Sequence, residues 1–189
     1  MIELKNLQTK IIGRQFEYYE CLSSTQQELH KLAQAGANEG LVILAESQTN
    51  GYGQYERKWF SPPDAGIWMS LLLRPQTPLN QVQPFILMAA EAVTSAILHE
   101  IGLTATWKWP NDLLLDGQKV AGILAEARGG LGHTEYLIIG LGLNVNFTNE
   151  QFPLELRDLA TSLSIKAGRL IDRASLLVRI LYELERLYL

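Results

Sequence analysis

Cysteine is almost missing from this chain of 189 residues, with Cys21 the only one. No internal disulfide can therefore staple the fold, and cohesion must come from a packed core. A single thiol suits a reducing compartment, and its place in an apolar, strand-like run predicts that Cys21 lies inside the core. An excess of positive charge is missing too. With 16 Lys and Arg against 20 Asp and Glu the formal charge is −4, and basic residues come no denser than pairs such as Arg57-Lys58, which excludes a general nucleic-acid binder. The three histidines, His30, His99 and His133, fall singly, so no structural zinc site is expected. There is no G-x-S-x-G elbow for Ser-His-Asp chemistry, no Walker loop and no G-x-G-x-x-G opening a helix. The N-terminus lacks an apolar signal stretch, and the apolar runs read as shorter than the ~18–20 residues that span a bilayer, so no membrane partner is expected.

What is present suffices for one core: 47% of residues are hydrophobic and 19% charged, the balance of a globular domain. Alternation and apolar runs predict strands near 16–21, 41–45, 67–73 and 136–145. Helical spacing predicts helices over 25–35, started by Ser24 with Gln27 three residues on, over 81–101, stopped by Gly102, and over 160–167 and 173–187, the last capped by Asp172. Hairpins mixed with helices argue for an α+β fold, a largely antiparallel mixed sheet packed with helices.

The sharpest local signal is Asp116-Gly117, a two-residue hairpin turn between runs 112–115 and 118–127. A regular register opposes Leu115 to Gln118, Leu114 to Lys119 and Asp112 to Ala121. Asp112 and Lys119 then share a sheet face, roughly 7–8 Å apart at Cα, while Leu113, Leu115, Val120, Gly122 and Leu124 form the core face.

Residues 47–66, SQTNGYGQYERKWFSPPDAG, make a connection of about 20 residues, longer than compact domains usually allow. Tyr52, Tyr55, Trp59 and Phe60 make it too aromatic for a disordered linker, which favours a binding loop over a plugged surface loop. Gly51 and Gly53 let backbone approach a ligand, Arg57 and Lys58 suit phosphate, and Trp59 offers a stacking surface. Gly140 and Gly142 weaken an otherwise apolar strand, so something is expected to approach its backbone. Asn144 and Asn146 follow on the same face, their amides available to a polar ring or simply to a turn.

Together, SST at 23–25, QTNGYGQYERKWFSP, GIWMSLLLRP, KWPND, KVAGILAE, GLGLNVN and FPLELRDLATSL resemble the biotin protein ligases, with KWPND followed by KVAGIL the specific part. The resemblance implies a catalytic core like that of class II aminoacyl-tRNA synthetases. It also implies attack of the biotin carboxylate on the α-phosphate of ATP, then transfer from biotinyl-5′-AMP to a lysine of the biotin carboxyl carrier protein. It assigns Lys119 as the cation that brings two anions together, Asp112 to orient it or help hold Mg²⁺, and Asn111 to the nucleotide or metal shell. Arg57 and Trp59 would clasp phosphate and adenine, and Asn144 would lie on the adenine side. Biotin would meet Ser24, Thr25, Gln48, Gly51, Tyr52, Lys119, Gly122, Ile123, Gly140 and Gly142. Neutral groups suit an uncharged urea, which they satisfy without desolvating a charge.

The resemblance implies a cytoplasmic enzyme, with residues 1–189 a single catalytic domain that has neither a winged helix nor an SH3-like barrel, and therefore no DNA partner. An open sheet edge would allow a side-by-side homodimer. Where the family commonly reads G-R-G-R, this loop reads Gly51-Tyr52-Gly53-Gln54, which predicts a weaker hold on the adenylate. A degenerate biotin-binding module is the alternative those replacements suggest; a lipoate ligase or octanoyltransferase is the alternative of related chemistry, against which K-W-P-N-D points. If the loop is a lid, protease cleavage within residues 49–58 should fall when biotin and ATP are added. Equal cleavage with and without them would exclude one.

Overall fold

Asp116 and Gly117 turn the chain with positive φ of 49° and 81°, the backbone a two-residue hairpin needs to follow the twist of its strands. The hairpin belongs to a sheet that, among the residues described in this computed structural model (2, 4–130 and 133–189), has seven strands in the order β1-β2-β3-β7-β6-β5-β4. The strands are β1 (Phe16–Leu22), β2 (Val42–Gln48), β3 (Gly66–Leu73), β4 (Thr106–Lys108), β5 (Asp112–Leu115), β6 (Gln118–Gly130) and β7 (His133–Asn144). β1 and β2 run parallel and every other neighbouring pair antiparallel. Four helices cover the sheet: α1 (Thr25–Gln34), α2 (Gln83–Ile101), α3 (Leu163–Ala167) and α4 (Arg173–Tyr188). The fold is the expected α+β.

Every residue of β3 is buried, because the sheet is covered on both faces. Ile67, Met69, Leu71 and Leu73 join Ala89, Val93, Leu177 and Ile180 in the main core beneath α2 and α4. On the opposite face Leu72 packs with Leu29 and Ala33 of α1, and Trp68 with Phe147 and Phe152. The chemistry lies on this second face, beside the start of α1. Helix α2, 19 residues long with a mean hydropathy of 1.3 over an 18-residue window, is long and apolar enough by length and composition to cross a bilayer, contrary to the sequence reading. In this fold it lies on the sheet and α4, with Ala89, Ala92, Val93 and Ala96 in the core.

Two further expectations are corrected. Cys21 is exposed, because it lies near the end of the edge strand β1, which is covered on only one side by a neighbour. The β5–β6 ladder pairs Leu115 with Gln118 and Leu114 with Lys119 as expected, but then slips by one, so that Leu113 faces Ala121 and Asp112 faces Gly122. A β-bulge of this kind opposes two residues on one strand to one on the other. Val120 and Ala121 are consecutively buried, and beyond them the faces exchange: Ile123 enters the core, while Gly122 and Leu124 turn to the opposite face.

The N-terminal segment is tied down by one carboxylate. Glu185 of α4 accepts the backbone N–H groups of Lys10, Ile11 and Ile12 at 2.6, 2.7 and 2.9 Å. Burial pushes this carboxyl up, but the three N–H donors outweigh that cost and hold it below the usual carboxylate range. Its contribution is therefore complete above about pH 4.5 and fades as pH falls through the lowered folded value. Glu185→Ala should cost about 2–4 kcal/mol in urea unfolding at pH 7, since it leaves several donors without an acceptor, and the gap to the unmodified chain should narrow below about pH 4.

Candidate active site

The bulge, the loop after β2 and the start of α1 enclose a cavity of about 400 Å³ on the α1 face, a size that suits a small ligand. Its floor is Gly122 on β6 and Gly140 and Gly142 on β7, with Gly122 and Gly142 directly paired. A Cβ on Gly142 would collide with the Trp59 indole, and one on Gly122 would stand 2.9 Å from the same ring. A Cβ on Gly140 would stand 2.7 Å from Gln26 Oε1. The weak points in an apolar strand are thus the spaces into which Trp59 and Gln26 fit.

One end of the cavity is neutral. Gln48 Oε1 accepts the backbone N–H of Thr25 at 2.8 Å, and Gln48 Nε2 donates to Ser61 Oγ at 2.9 Å, which passes its own proton to Trp59 O. Thr25 Oγ1 lies 2.9 Å from Ser70 Oγ, which donates to Gln26 Oε1 at 3.0 Å. Ser70 and Ser61 thus have fixed proton directions, while the Thr25 hydroxyl donates either to Ser70 Oγ or to Gln48 Oε1. Ser24 occupies the N-cap position of α1 with extended backbone, yet its hydroxyl makes no cap bond; it lines the cavity instead.

The other end is cationic. Lys119 Nζ pairs with Asp112 Oδ1 at 2.6 Å and stands 5.0 Å over the Trp59 ring. Both charged side chains are mostly covered, at 33% and 24% exposure, so their field is less screened than on an open surface. The segment 159–161 fixes Lys119 by its backbone: Lys119 N–H donates to Leu159 O, and Thr161 N–H to Lys119 O. Asn111 is held similarly, its amide donating to Ile123 O at 3.1 Å while its own carbonyl accepts Ile123 N–H. Arg57 lies exposed at the rim, its guanidinium 5.8 Å over the Tyr55 ring.

The loop is closed on itself by the bridges Gln48–Ser61 and Tyr52–Lys58. Tyr52 also reaches out of it, its hydroxyl donating to Glu126 Oε2 at 3.2 Å, the same oxygen that His30 Nε2 meets at 3.0 Å. The His30 bond, against the cost of burial, holds the Glu126 carboxyl below its usual range, with Gln26 and Tyr52 adding to it. Burial, then the neighbouring carboxylate, pushes the Tyr52 phenol well above its ordinary value.

Of the expected site residues, Ser24, Thr25, Gln48, Tyr52, Arg57, Trp59, Asn111, Asp112, Lys119, Gly122, Ile123, Gly140, Gly142 and Asn144 all line this cavity. Ile123 does so only by its backbone, since its side chain is in the core. Gly51 is not part of the lining; it is packed at the loop base, where a Cβ would meet Gln48, Ser61 and the Trp59 carbonyl at 2.8–2.9 Å. Asn144 donates to Thr161 O, and Asn146 is spent on α4's approach, exchanging two hydrogen bonds with the Ile171 backbone. Gln26, Ser70 and the apolar wall of Phe152, Leu156, Leu159 and Ala160 went unread. Ser70 carries a legible signal, a hydroxyl inside the buried run IWMSLLL; the wall lies within the stretch FPLELRDLATSL, but only long-range packing brings it to the cavity. Among the described residues no three His, Cys, Asp or Glu side chains cluster for a metal. The one carboxylate lining the cavity, Asp112, is already paired with Lys119, so protein groups alone do not fit a resident cation.

The chain is an α+β domain with a glycine-floored cavity that has a neutral hydrogen-bonding end and a cationic end, groups that suit a small polar molecule beside an anion. The chain belongs to the Biotin/lipoate A/B protein ligase family, whose match spans residues 18–144. It is similar to the bifunctional ligase/repressor BirA of Bacillus subtilis, 43% identical over 182 residues, which are 96% of this chain and 56% of that protein. It is 33% identical to the biotin--[acetyl-CoA-carboxylase] ligase of Mycobacterium tuberculosis over 97% of this chain and 70% of that one. The structure of biotin protein ligase from Aquifex aeolicus in complex with biotin and ATP superposes with a TM-score of 0.80 at 30% identity, over 92% of this chain and 70% of that one. This chain thus spans little more than half the length of the Bacillus relative.

The fit between Trp59 and Gly142 can be measured. Gly142→Ala should cost about 1–3 kcal/mol in urea unfolding, because an added methyl forces a packed ring to move. In a Trp59→Ala background the same change should cost roughly half as much or less. An equal cost in both backgrounds would place the strain elsewhere.

Proposed function

We propose that this domain is a biotin protein ligase that joins biotin to AMP and passes it to a lysine of a biotin carboxyl carrier protein. The observation that carries the reading is the order of groups along one cavity, from uncharged donors and acceptors at Thr25 and Gln48 to the Lys119–Asp112 pair. Such an order fits a molecule with a neutral urea at one end and a carboxylate at the other, where the carboxylate must meet a phosphate.

In the first step a carboxylate oxygen bonds to the α-phosphorus of ATP while the bond to the bridging oxygen breaks, and pyrophosphate leaves with the electron pair. Two anions approach each other in this step, so a preplaced cation lowers the barrier most where their charges crowd. Lys119 serves there. Asp112 fixes its ammonium, and the backbone bonds to 159–161 fix its strand. Asn111 and Asn144 face the nucleotide, Trp59 stacks beside adenine, and Arg57 closes from the loop. A Mg²⁺ carried on the nucleotide would neutralise part of the phosphate charge, and Asp112 would be the one cavity-lining carboxylate near it. In the second step the neutral amine of the acceptor lysine attacks the acyl carbon, AMP departs and the amine proton passes to solvent. A cytoplasmic setting and a side-by-side homodimer through an open sheet edge belong to the same reading, as does a catalytic role for residues 1–189.

Lys119→Ala should reduce pyrophosphate release from biotin and ATP by about 10²–10³-fold or more, the usual consequence of removing one electrostatic stabiliser, while biotin binding stays measurable by titration. Near-unchanged release would remove Lys119 from the reaction. Biotin uptake by the unmodified chain without any pyrophosphate would make the domain a binding module instead.

A further inference from the structure

Glu126 does not line the cavity, yet three elements around the cavity meet on it. Beyond the bulge, the residues of β6 that face α1 and the loop are Gly122, Leu124 and Glu126, since Ile123, Ala125 and Ala127 pack into the opposite core. Glu126 therefore stands on the ligand side of the same strand that carries Lys119. From α1, His30 reaches its carboxylate at 3.0 Å while His30 Nδ1 lies 3.3 Å from the Tyr136 hydroxyl of β7. From the loop, the Tyr52 hydroxyl reaches it at 3.2 Å. Gln26, one turn before His30 on α1, lines the cavity and receives the Ser70 proton. The Tyr52 ring lines the cavity too, so one carboxylate outside the cavity holds two of its walls in place.

We infer that Glu126 is a positioning residue for the ligand loop: through the Tyr52 hydroxyl it keeps residues 49–58 against β6 and thereby sets how quickly the bound small molecule escapes. The hydroxyl is the element of the loop best suited to this. Arg57 and Lys58 are exposed, whereas Tyr52 is half-buried and donates a charge-assisted hydrogen bond. His30 meets the same oxygen, Oε2, from α1 and so fixes the position of the acceptor that Tyr52 uses. The identity of the small molecule as biotin rests on the function proposed above; the hold on the loop does not.

The test separates the two. In the ligand-free chain, Tyr52→Phe removes only the hydroxyl and should raise the rate of protease cleavage within 49–58 about tenfold, the low end for losing a hydrogen bond to a charged group, with the melting temperature nearly unchanged. Glu126→Ala should do the same, Glu126→Gln should restore most of the protection because an amide oxygen still accepts from Tyr52, and Tyr52→Phe/Glu126→Ala should be no worse than either single change. With biotin, Glu126→Ala should speed release by a similar factor and raise KM for biotin more than it lowers kcat. Unaltered loop cleavage in Tyr52→Phe, or losses that simply add in the double variant, would overturn the positioning role. Failure of the unmodified chain to bind biotin at all would overturn the proposed function, while ligand-free cleavage would still decide the role of Glu126.

Discussion

One extra residue in the β5–β6 ladder decides which side of the sheet carries chemistry. If Lys119 and Gly122 lay on a regular strand, three positions apart, they would point to opposite faces. The bulge at Val120 and Ala121 absorbs the odd residue, so the ammonium and the glycine floor face one cavity while Val120, Ala121 and Ile123 stay in the core. Asp112 shares a face with Lys119 in either register and, facing Gly122 across the slip, still meets its ammonium at 2.6 Å. Bulges beside functional sites commonly re-aim a side chain in this way.

The rest of the site follows from what that cavity must hold in place. Its neutral end is a chain of hydrogen bonds with few free choices of proton direction, running from Trp59 O through Ser61, Gln48 and Thr25 to Ser70 and Gln26. Networks of this kind are favourable when every member is satisfied and costly when one is not. The Trp59 Nε1 is the exception: buried over Gly142, it has no acceptor. Loop and sheet are thus joined at both ends, through Ser61 and Gln48 on one side and through Tyr52 and Glu126 on the other.

Charge is also used away from the cavity to hold the covering elements. Glu46 of β2 accepts from Tyr18, from the Asp64 N–H and from Arg173, each at 2.7 Å. Burial opposes its ionisation, but these donors together keep it below the usual carboxylate range, and they tie the end of the ligand loop to the start of α4. Glu185 does the same for the N-terminal segment at the other end of that helix. Each of these carboxylates gathers backbone or cationic donors from distant parts of the chain, which turns a desolvation cost into a fixed contact.

Much of this was legible in the amino-acid sequence. Strand runs, the Asp-Gly turn, the Asp172 cap and the Gly102 stop depend on local backbone chemistry, and local chemistry is written in neighbouring residues. So is the pairing of Asp112 with Lys119, which needs only a turn and a strand period. The bulge was not legible, because a regular ladder and a slipped one have the same composition; burial on both sides of the sheet chose between them. Cys21 reads as core from its apolar neighbours, and only its place near the end of an edge strand leaves it in water. Asn144 and Asn146 are alike in the sequence, yet one lines the cavity and the other holds Ile171, and Glu126 becomes the meeting point of helix, loop and sheet only when residues 30, 52 and 126 are brought together. The sequence alone determined which groups exist and which local turns they make; the tertiary structure decided which of them meet, because contacts between distant residues are set by the packing of the whole sheet and its helices.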